Sequence, residues 1–245
     1  MTLISSGGFI PVNNLSSIIN TNTKEIVFSL TMLVSFFSIF LSYNLFFIRN
    51  KNISFFQEDI LLLIYFLTLL IFFYLLFNFD YNFSVILLSL VSSISNIGIS
   101  LDQSPKNLSF IFLILIIIGG SFFSTSSGIR LLKLYALFKF AINNLISHVK
   151  PKNIFLNKHF FLNINFEKDE ISRYFLSVLI FIISLFILTS FLTISGISLE
   201  SAFKLSILTL MNTVNSSMHG LSDFNFQELQ FFTKYYLIFF MIIGR

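Results

Sequence analysis

The sequence predicts an all-α polytopic membrane protein, and its composition carries that prediction. Of its 245 residues, 56% are hydrophobic, only 11% are charged, and 36 are Phe. The mean hydropathy of +0.89 is far above that of a soluble domain. We therefore expect membrane lipid to surround most of the chain.

Apolar segments long enough to cross a bilayer, or nearly so, recur along the chain. One further apolar stretch, 108–140, is interrupted by "GGSFFSTSSGIR" at 119–130. Two apolar segments of about a dozen residues are too short to cross and are typical of re-entrant helices. The polar, basic residues between 140 and 171 predict a loop. Continuous spans are predicted at about 26–48, 59–77, 172–192 and 231–245, and the short helices at 83–94 and 201–211.

The distribution of Lys and Arg predicts the orientation. If residues 49–51 and the region 130–173 face the cytoplasm, that side carries ten basic residues and the opposite loops carry four. The positive-inside rule then places the two short helices on the outer side. The chain has no dense basic block, so nucleic-acid binding is not expected.

A short unit is repeated in the sequence. "SLVSSISNIG" at 89–98 and "SILTLMNTVN" at 206–215 share one order of hydroxyl, apolar and small polar residues, and "MTLISSGG" at 1–8 fits its last eight places. Each copy predicts a helix end followed by a residue that tolerates positive φ.

Such loops, arranged around an axis, would form a ring of backbone oxygens that replaces the hydration shell of a cation. The alternative is that the three copies are ordinary helix ends rich in small residues. The predicted ion-filter residues are Ser5, Ser6, Gly7, Gly8, Ser95, Asn96, Ile97, Gly98, Asn212, Thr213, Val214 and Asn215.

The interruption at 119–130 has two interpretations. Gly120, Ser124 and Gly128 have the small-xxx-small spacing of a helix-packing face. However, six of the eight residues from 121 to 128 are small and polar, which is more than one packing face needs. An unwound segment at mid-membrane must pair its amides with protein or with a wet cavity. We therefore predict that it lines a conduction path.

These motifs together resemble the Trk/Ktr/HKT superfamily of potassium-uptake proteins, and its TrkH-type transmembrane subunit in particular. "GGSFFSTSSGIRLLKLYALFK" at 119–139 is similar to the family's small-residue block in the second helix of the third repeat. On that alignment "SSGGF", "SNIGI" and "NTVNS" are the second, third and fourth filters, and the closing "MIIGR" resembles the last helix.

The resemblance implies pseudo-fourfold helix, pore-loop and helix repeats around a central pore, of which about two and a half to three are present. The expected domains are the end of repeat two at 1–56, repeat three at 57–146, a cytoplasmic loop at 147–170 and repeat four at 171–245. The sequence is interpreted as roughly the C-terminal three-fifths of a transporter. The missing N-terminal portion would have to complete the ring.

The resemblance also implies a function, which is potassium uptake across a bacterial inner membrane. The potassium ion would be the substrate at the filter residues, with no other cofactor, and Arg245 would be a barrier in the pore. Expected partners are a second copy, giving a homodimer, and a cytosolic nucleotide-binding subunit of the TrkA type that faces the basic region 133–168. Arg130 would lie at the cytoplasmic exit of the gate, which comprises Gly119, Gly120, Ser124, Thr125, Ser126, Ser127 and Gly128.

Other readings remain open at this point. Arg245 could instead extend to the membrane interface. The chain could be a truncated membrane protein that does not transport, or a sodium-coupled secondary transporter, although the latter predicts inverted halves and these copies run in one orientation. No nucleotide-binding or hydrolase motif is present, so an enzyme is not expected. His148, His159 and His219 are expected in loops or at the surface.

Overall fold

The structure, a computed structural model, describes residues 19, 21–37, 53–77, 81–101, 109–121, 124–149, 168–213, 217–221, 226 and 229–244. The predicted all-α fold is confirmed, and the strands are two residues long each. In chain order the elements are α1 (Asn22–Phe36), α2 (Ile53–Leu76), α3 (Phe83–Ile94), α4 (Ser109–Ile117), β1 (Ile118–Gly119), β2 (Ile129–Arg130), α5 (Leu131–Val149), α6 (Lys168–Ile194), α7 (Leu199–Leu210), a 3-10 turn (Ser217–His219) and α8 (Phe231–Ile243).

Two helices of the described chain, α2 from Glu58 onward and α6, are long and apolar enough to cross a membrane. Only 22% and 28% of the residues in their most apolar stretches are buried inside the protein. Large apolar side chains such as Phe175, Phe186 and Phe239 are exposed on α6 and α8. This surface suits lipid as its solvent.

The short helices α3 and α7 are two copies of one unit. Each has 12 residues, and each follows a long helix. α3 begins at Phe83 and α7 at Leu199, so the two copies are 116 residues apart at both ends. The order of long helix, short helix and turn is the same in both described copies, and the copy predicted at residues 1–8 lies outside the described residues.

The register that the sequence predicts for this repeat is wrong by one residue. Pairing "SLVSSISNIG" with "SILTLMNTVN" places Ser89 opposite Ser206, an offset of 117, whereas the helix ends give 116. The match by residue class and the match by helix boundaries therefore disagree. Ser198 caps α7 by accepting from the Ser201 amide at 3.4 Å, and Asn82 occupies the equivalent N-cap position before α3.

α3 is buried along its length, from Ser84 to Ile94, although twelve residues rise only about 18 Å. α1, α2 and α4 pack against it. A helix that other helices surround can be apolar on every side. The core there includes Met32 and Phe36 of α1, which are fully buried.

α4 separates two cores. Phe112 and Leu115 belong to the cluster around α3, whereas Leu113 and Ile116 pack with residues of α6, α7 and α8. The helix therefore forms the wall between the two copies of the repeat. It ends at Ile117, where the backbone becomes extended.

Buried hydroxyls are paired mainly within their own helices. Ser89 and Ser93 of α3 donate to the carbonyls four residues earlier at 2.9 Å. Ser206 and Thr209 of α7 do the same at 2.7 Å. This back-bonding allows such serine-rich helices to be buried.

α5 extends further than the sequence predicts. A loop is expected from residue 140 onward, but the helix continues to Val149. Ile142, Leu145 and Ile146 keep the three- and four-residue spacing of a helix, and Pro151 lies beyond its end. The polar residues between them lower the average hydropathy without interrupting the helix.

His219 lies between helices, in the 3-10 turn that follows α7, and its side chain there is fully buried. Burial lowers the pKa of His219 from its ordinary 6.5 to about 4. Met218 and Leu221 beside it are buried as well. The folded protein therefore holds this imidazole in its neutral form at neutral pH.

We expect His219 to make stability depend on pH in the acid range. Between pH 6.5 and 4 this histidine binds a proton in the unfolded chain but not in the folded one. The free energy of unfolding therefore falls as the pH is lowered from 6.5 to 4, and His219 does not affect it above pH 6.5. The measurement is thermal unfolding in detergent at pH 7, 6 and 5. His219→Gln should show a smaller loss over this range, and equal losses in the two proteins would contradict the assignment.

Candidate functional site

Several predicted site residues lie outside the described chain, namely Ser5, Ser6, Gly7, Gly8, Val214, Asn215 and Arg245. The described ones fall into two turns and one loop. We call Ser95–Gly98 the α3 turn, Met211–Thr213 the α7 turn, and residues 119–128 the loop. Phe122 and Phe123 within the loop are outside the described residues.

The α3 turn closes the buried end of α3. The Asn96 amide donates to the Ser93 carbonyl at 3.2 Å, and the amides of Ile97 and Gly98 both donate to the Ser92 carbonyl, at 3.1 and 3.3 Å. Asn96 has φ +58° and Gly98 has φ +77°. The predicted positive φ at Gly98 is confirmed, and the one at Asn96 was not expected.

The α7 turn repeats this geometry. The Asn212 amide donates to the Thr209 carbonyl at 3.1 Å and the Thr213 amide to the Leu208 carbonyl at 2.9 Å, each 116 residues after its counterpart. Asn212 has φ +53° and is therefore the equivalent of Asn96. Asparagine is one of the few residues with a side chain that tolerate this left-handed conformation.

Both turns follow the C-terminus of a helix. The last carbonyls of a helix have no intrahelical amide to accept from, and the helix dipole adds partial negative charge there. Ser95 and Met211 are the C-cap residues of α3 and α7, and both are buried. The two turns therefore collect backbone oxygens at helix ends that are favourable for a cation.

The predicted interruption after α4 is confirmed. β1 and β2 pair in parallel, with Ile118 opposite Ile129 and Gly119 opposite Arg130. The two ends of the loop therefore lie side by side. The chain then continues directly into α5 at Leu131. The helix-packing interpretation does not describe this segment, because residues 119–130 are not helical where they are described.

The loop pairs its amides with the C-terminal end of α1. The Ser121 amide donates to the Phe36 carbonyl at 3.1 Å, and the Ser126 amide donates to the Ser35 carbonyl at 3.3 Å. α1 ends at Phe36, so these carbonyls are among those that a helix leaves unpaired. The loop amides therefore pair with helix-end carbonyls that would otherwise have no donor.

Arg130 binds the loop from the other side. Its Nη1 donates to the Ser121 carbonyl at 2.7 Å, to Ser124 Oγ at 2.9 Å and to the Ser126 carbonyl at 2.9 Å. Sequence analysis placed this residue at the exit of the gate, but its side chain turns back into the loop. Glu58 of α2, which is buried, interacts electrostatically with the guanidinium.

Ser127 connects the loop to both turns. Its carbonyl accepts a 2.7 Å hydrogen bond from Asn96 Nδ2, and its hydroxyl donates to the Met211 carbonyl. The loop therefore contacts α1, the α3 turn and the α7 turn at once. Sequence analysis selected Asn96 and Ser127 as separate members of a filter and a gate and did not predict their contact.

The two equivalent asparagines have equivalent contacts. Asn96 donates to a carbonyl 31 residues later, in the loop, and Asn212 donates to the Met241 carbonyl 29 residues later, in α8, at 3.0 Å. Each asparagine thus ties its own turn to the segment that follows it in the same repeat. The recurrence of Asn after a hydroxyl-rich helix was the sequence signal for this role.

Comparison with solved structures identifies the architecture. The chain is similar to the crystal structure of the potassium transporter TrkH from Vibrio parahaemolyticus, with a TM-score of 0.79, 17% sequence identity and coverage of 99% of this chain. The chain has the TrkH fold. No protein-family model and no curated protein sequence matches it.

The chain spans 54% of the TrkH chain that it matches. The predicted TrkH-type resemblance, an all-α membrane protein, is thereby confirmed at the level of the fold. At 17% identity the match does not extend to individual site residues.

A cavity of about 480 Å³ lies beside the loop within this TrkH fold. Ser127 lines it from the loop, Arg130 from β2, Met211 from the α7 turn and Lys133 from α5. Lys133 Nζ lies 3.5 Å from Ser177 Oγ of α6. The cavity therefore combines basic groups with hydroxyl and carbonyl oxygens next to the contact between loop and turn.

Close backbone approach requires glycine at position 120. A Cβ there would lie 2.1 Å from the Phe36 carbonyl oxygen and 2.7 Å from Ser126 Oγ. Both contacts are shorter than real Cβ contacts, and the nearer atom belongs to the backbone. A side chain at this position must therefore separate the loop from α1.

We expect Gly120→Ala to destabilise the protein by about 1–3 kcal/mol, because α1 and the loop must move apart. Gly196→Ala is the matched control, since a Cβ there meets nothing within 4 Å and only its φ of +90° is strained, at about 1 kcal/mol. Thermal unfolding in detergent compares the two. A Gly120→Ala variant as stable as Gly196→Ala would show that the loop is not held against α1.

Proposed function

We propose that this chain is the transporting subunit of a potassium or other monovalent cation uptake system, in which backbone carbonyls form the filter and the loop at 119–128 is the gate. The observation that carries the proposal is the contact of Ser127 with both turns, which puts a loop of small residues against two equivalent helix ends. The similarity in fold to a potassium transporter supports it.

The α3 and α7 turns supply the chemistry that a cation needs. Potassium is bound in filters by carbonyl oxygens that replace its water shell, and helix C-termini stabilise positive charge. The ion would be substrate rather than cofactor, bound by Ser95–Gly98, by Asn212–Asn215 and by Ser5–Gly8 of the second filter. Arg245 would be an electrostatic barrier further along the pore.

The closed form of the gate would be the loop as it stands, held by Arg130 and by α1. Its residues Gly119, Gly120, Ser124, Thr125, Ser126, Ser127 and Gly128 are small, whereas Phe122 and Phe123 between them are large and would have to move with the segment. We propose that a filter-bound ion cannot pass until the loop leaves the Asn96 and Met211 contacts.

The remaining proposals concern the assembly. The first repeat and the start of the second would come from an N-terminal portion that completes the pore, and the protein would be a multi-pass homodimer in a bacterial inner membrane. A cytosolic nucleotide-binding subunit of the TrkA type would act from the side of α5. Among the alternatives, a secondary transporter with inverted halves is disfavoured, because the distribution of Lys and Arg places both short helices on the same side of the membrane.

The filter assignment is tested by Gly98→Asp. Gly98 is buried with φ +77°, so Asp adds both backbone strain and a carboxylate, and we expect at least about a tenfold loss of transport. Rubidium uptake is measured in a potassium-auxotrophic host that produces this chain together with the first repeat. Gly196→Asp, at an exposed glycine with φ +90°, is the matched control and should retain uptake. Full uptake by Gly98→Asp, or no uptake by the unaltered assembly, would refute the proposal.

The gate assignment is tested by Arg130→Gln. The amide cannot replace three hydrogen bonds from a charged donor, each worth about 1.5–3 kcal/mol, so the closed loop should be weakened. We expect the basal rubidium leak from proteoliposomes to rise about tenfold or more. Lys139→Gln, on the helix α5 that follows Arg130, is the control and should not change the leak. A folded Arg130→Gln protein with unchanged or lower leak would show that Arg130 does not keep the gate closed.

A further inference from the structure

The cavity beside the loop, which we call the basic cavity, has an excess of positive charge. Arg130 of β2 and Lys133 of α5 line it, and none of the described residues that line it is Asp or Glu. Glu58 of α2 interacts electrostatically with Arg130 but is not among the lining residues. The charge of the basic cavity therefore favours an anion.

Lys133 is the cation there that has donors to spare. An ammonium group has three N–H donors. Within the described chain its only hydrogen bond is the 3.5 Å contact with Ser177 Oγ, and the Ser177 hydroxyl donates its own proton to the Tyr174 carbonyl at 2.8 Å. Arg130, in contrast, is committed to the loop through Nη1. Lys133 can therefore bind an anion without giving up a strong contact.

An apolar groove between α6 and α8 adjoins the basic cavity. It has a volume of about 710 Å³ and is lined by Ile183, Ile187 and Phe191 of α6 and by Tyr236 and Phe239 of α8, among others. These five side chains are each more than a third exposed. Three residues line both the groove and the basic cavity, namely Ile180, Ser184 and Ile243. The apolar surface is therefore continuous with the charged one.

The length of the combined space suits one acyl chain with a charged head group. Phe191 comes 14 residues after Ser177 on α6, which is a rise of about 21 Å. One leaflet contributes about 15 Å of hydrocarbon to a bilayer. At the end away from Lys133, Phe191 stacks on Tyr236 with ring centroids 4.9 Å apart, so α6 and α8 are in contact there.

The predicted orientation of the chain gives the two spaces the polarity of a lipid. The positive-inside rule places residues 130–173 on the cytoplasmic side, and α6 runs from Lys168 on that side toward the outer face. The basic cavity is therefore the end nearer the cytoplasm. The groove extends from it toward the outer side, as the acyl chains of a cytoplasmic-leaflet lipid do.

We propose that one anionic phospholipid of the cytoplasmic leaflet binds here, with its phosphate at Lys133 in the basic cavity and one acyl chain in the apolar groove. Basic pockets between transmembrane helices on this side of a membrane bind such head groups. A zwitterionic lipid would bring a cation of its own next to Arg130 and Lys133, which disfavours it. The inference does not depend on transport.

Native mass spectrometry of the 245-residue chain in detergent counts the bound lipids. The chain is titrated with dioleoylphosphatidylglycerol or with dioleoylphosphatidylcholine, which have the same acyl chains and differ in net charge. We expect the first phosphatidylglycerol to bind about tenfold more tightly or better, because two basic side chains face its phosphate.

One variant tests each half of the site. Lys133→Gln should weaken phosphatidylglycerol binding about fivefold, whereas Lys139→Gln, the same charge change on α5 outside both spaces, should not. Ile183→Trp fills the groove and should weaken binding about tenfold, since displacing two methylene groups is enough for that. Its control is Ile182→Trp, at an exposed position of α6 that lines neither space.

Equal binding of the two lipids by the unaltered chain would overturn the inference, whatever the variants do. So would a preference for phosphatidylglycerol that Lys133→Gln leaves intact. Displacement of the lipid by inorganic phosphate, with normal binding by Ile183→Trp, would identify a site for a soluble anion and refute the acyl-chain assignment. A dimer without lipid preference that Ile183→Trp dissociates would show that a second copy covers the groove instead.

Discussion

The structure depends on pairing every backbone amide and carbonyl where a helix is interrupted inside an apolar protein. In lipid an unpaired group costs several kcal/mol, so a break between α4 and α5 is possible only if other groups complete it. The amides of Ser121 and Ser126 use carbonyls at the end of α1, and the carbonyls of the same two residues use Arg130. The positions of α1, the loop and α5 are fixed together for this reason.

The sequence predicted that the interruption exists but not what completes it. A run of glycine, serine and threonine cannot continue an apolar span, so residues 119–130 were recognisable at once. Its partners were not, because the carbonyls of Ser35 and Phe36 are backbone atoms with no residue-type signature. The direction of Arg130 was hidden as well, since the choice between solvent and loop is a choice of rotamer.

The register of the repeat is a second feature that the sequence pattern did not predict correctly. The pattern of hydroxyl and apolar residues was enough to find two copies, yet it gave an offset of 117 where the helix ends give 116. Conformation resolves the ambiguity, because Asn96 and Asn212 both have positive φ. The observed register follows when Asn96 is aligned with Asn212, rather than Gly98 with Asn215. The property that the two asparagines share is tolerance of positive φ, which a match by residue class does not take into account.

Arg130 holds the loop in place by occupying oxygen atoms that would otherwise suit a cation. The Ser121 carbonyl, Ser124 Oγ and the Ser126 carbonyl would suit a metal cation, but a guanidinium of the same chain occupies them. A tethered charge has a high effective concentration, so a mobile ion does not displace it by mass action. Because β2 leads directly into α5 at Leu131, a displacement of α5 would move this guanidinium. In the proposed function, a regulatory partner on the side of α5 would therefore act on the gate through Arg130.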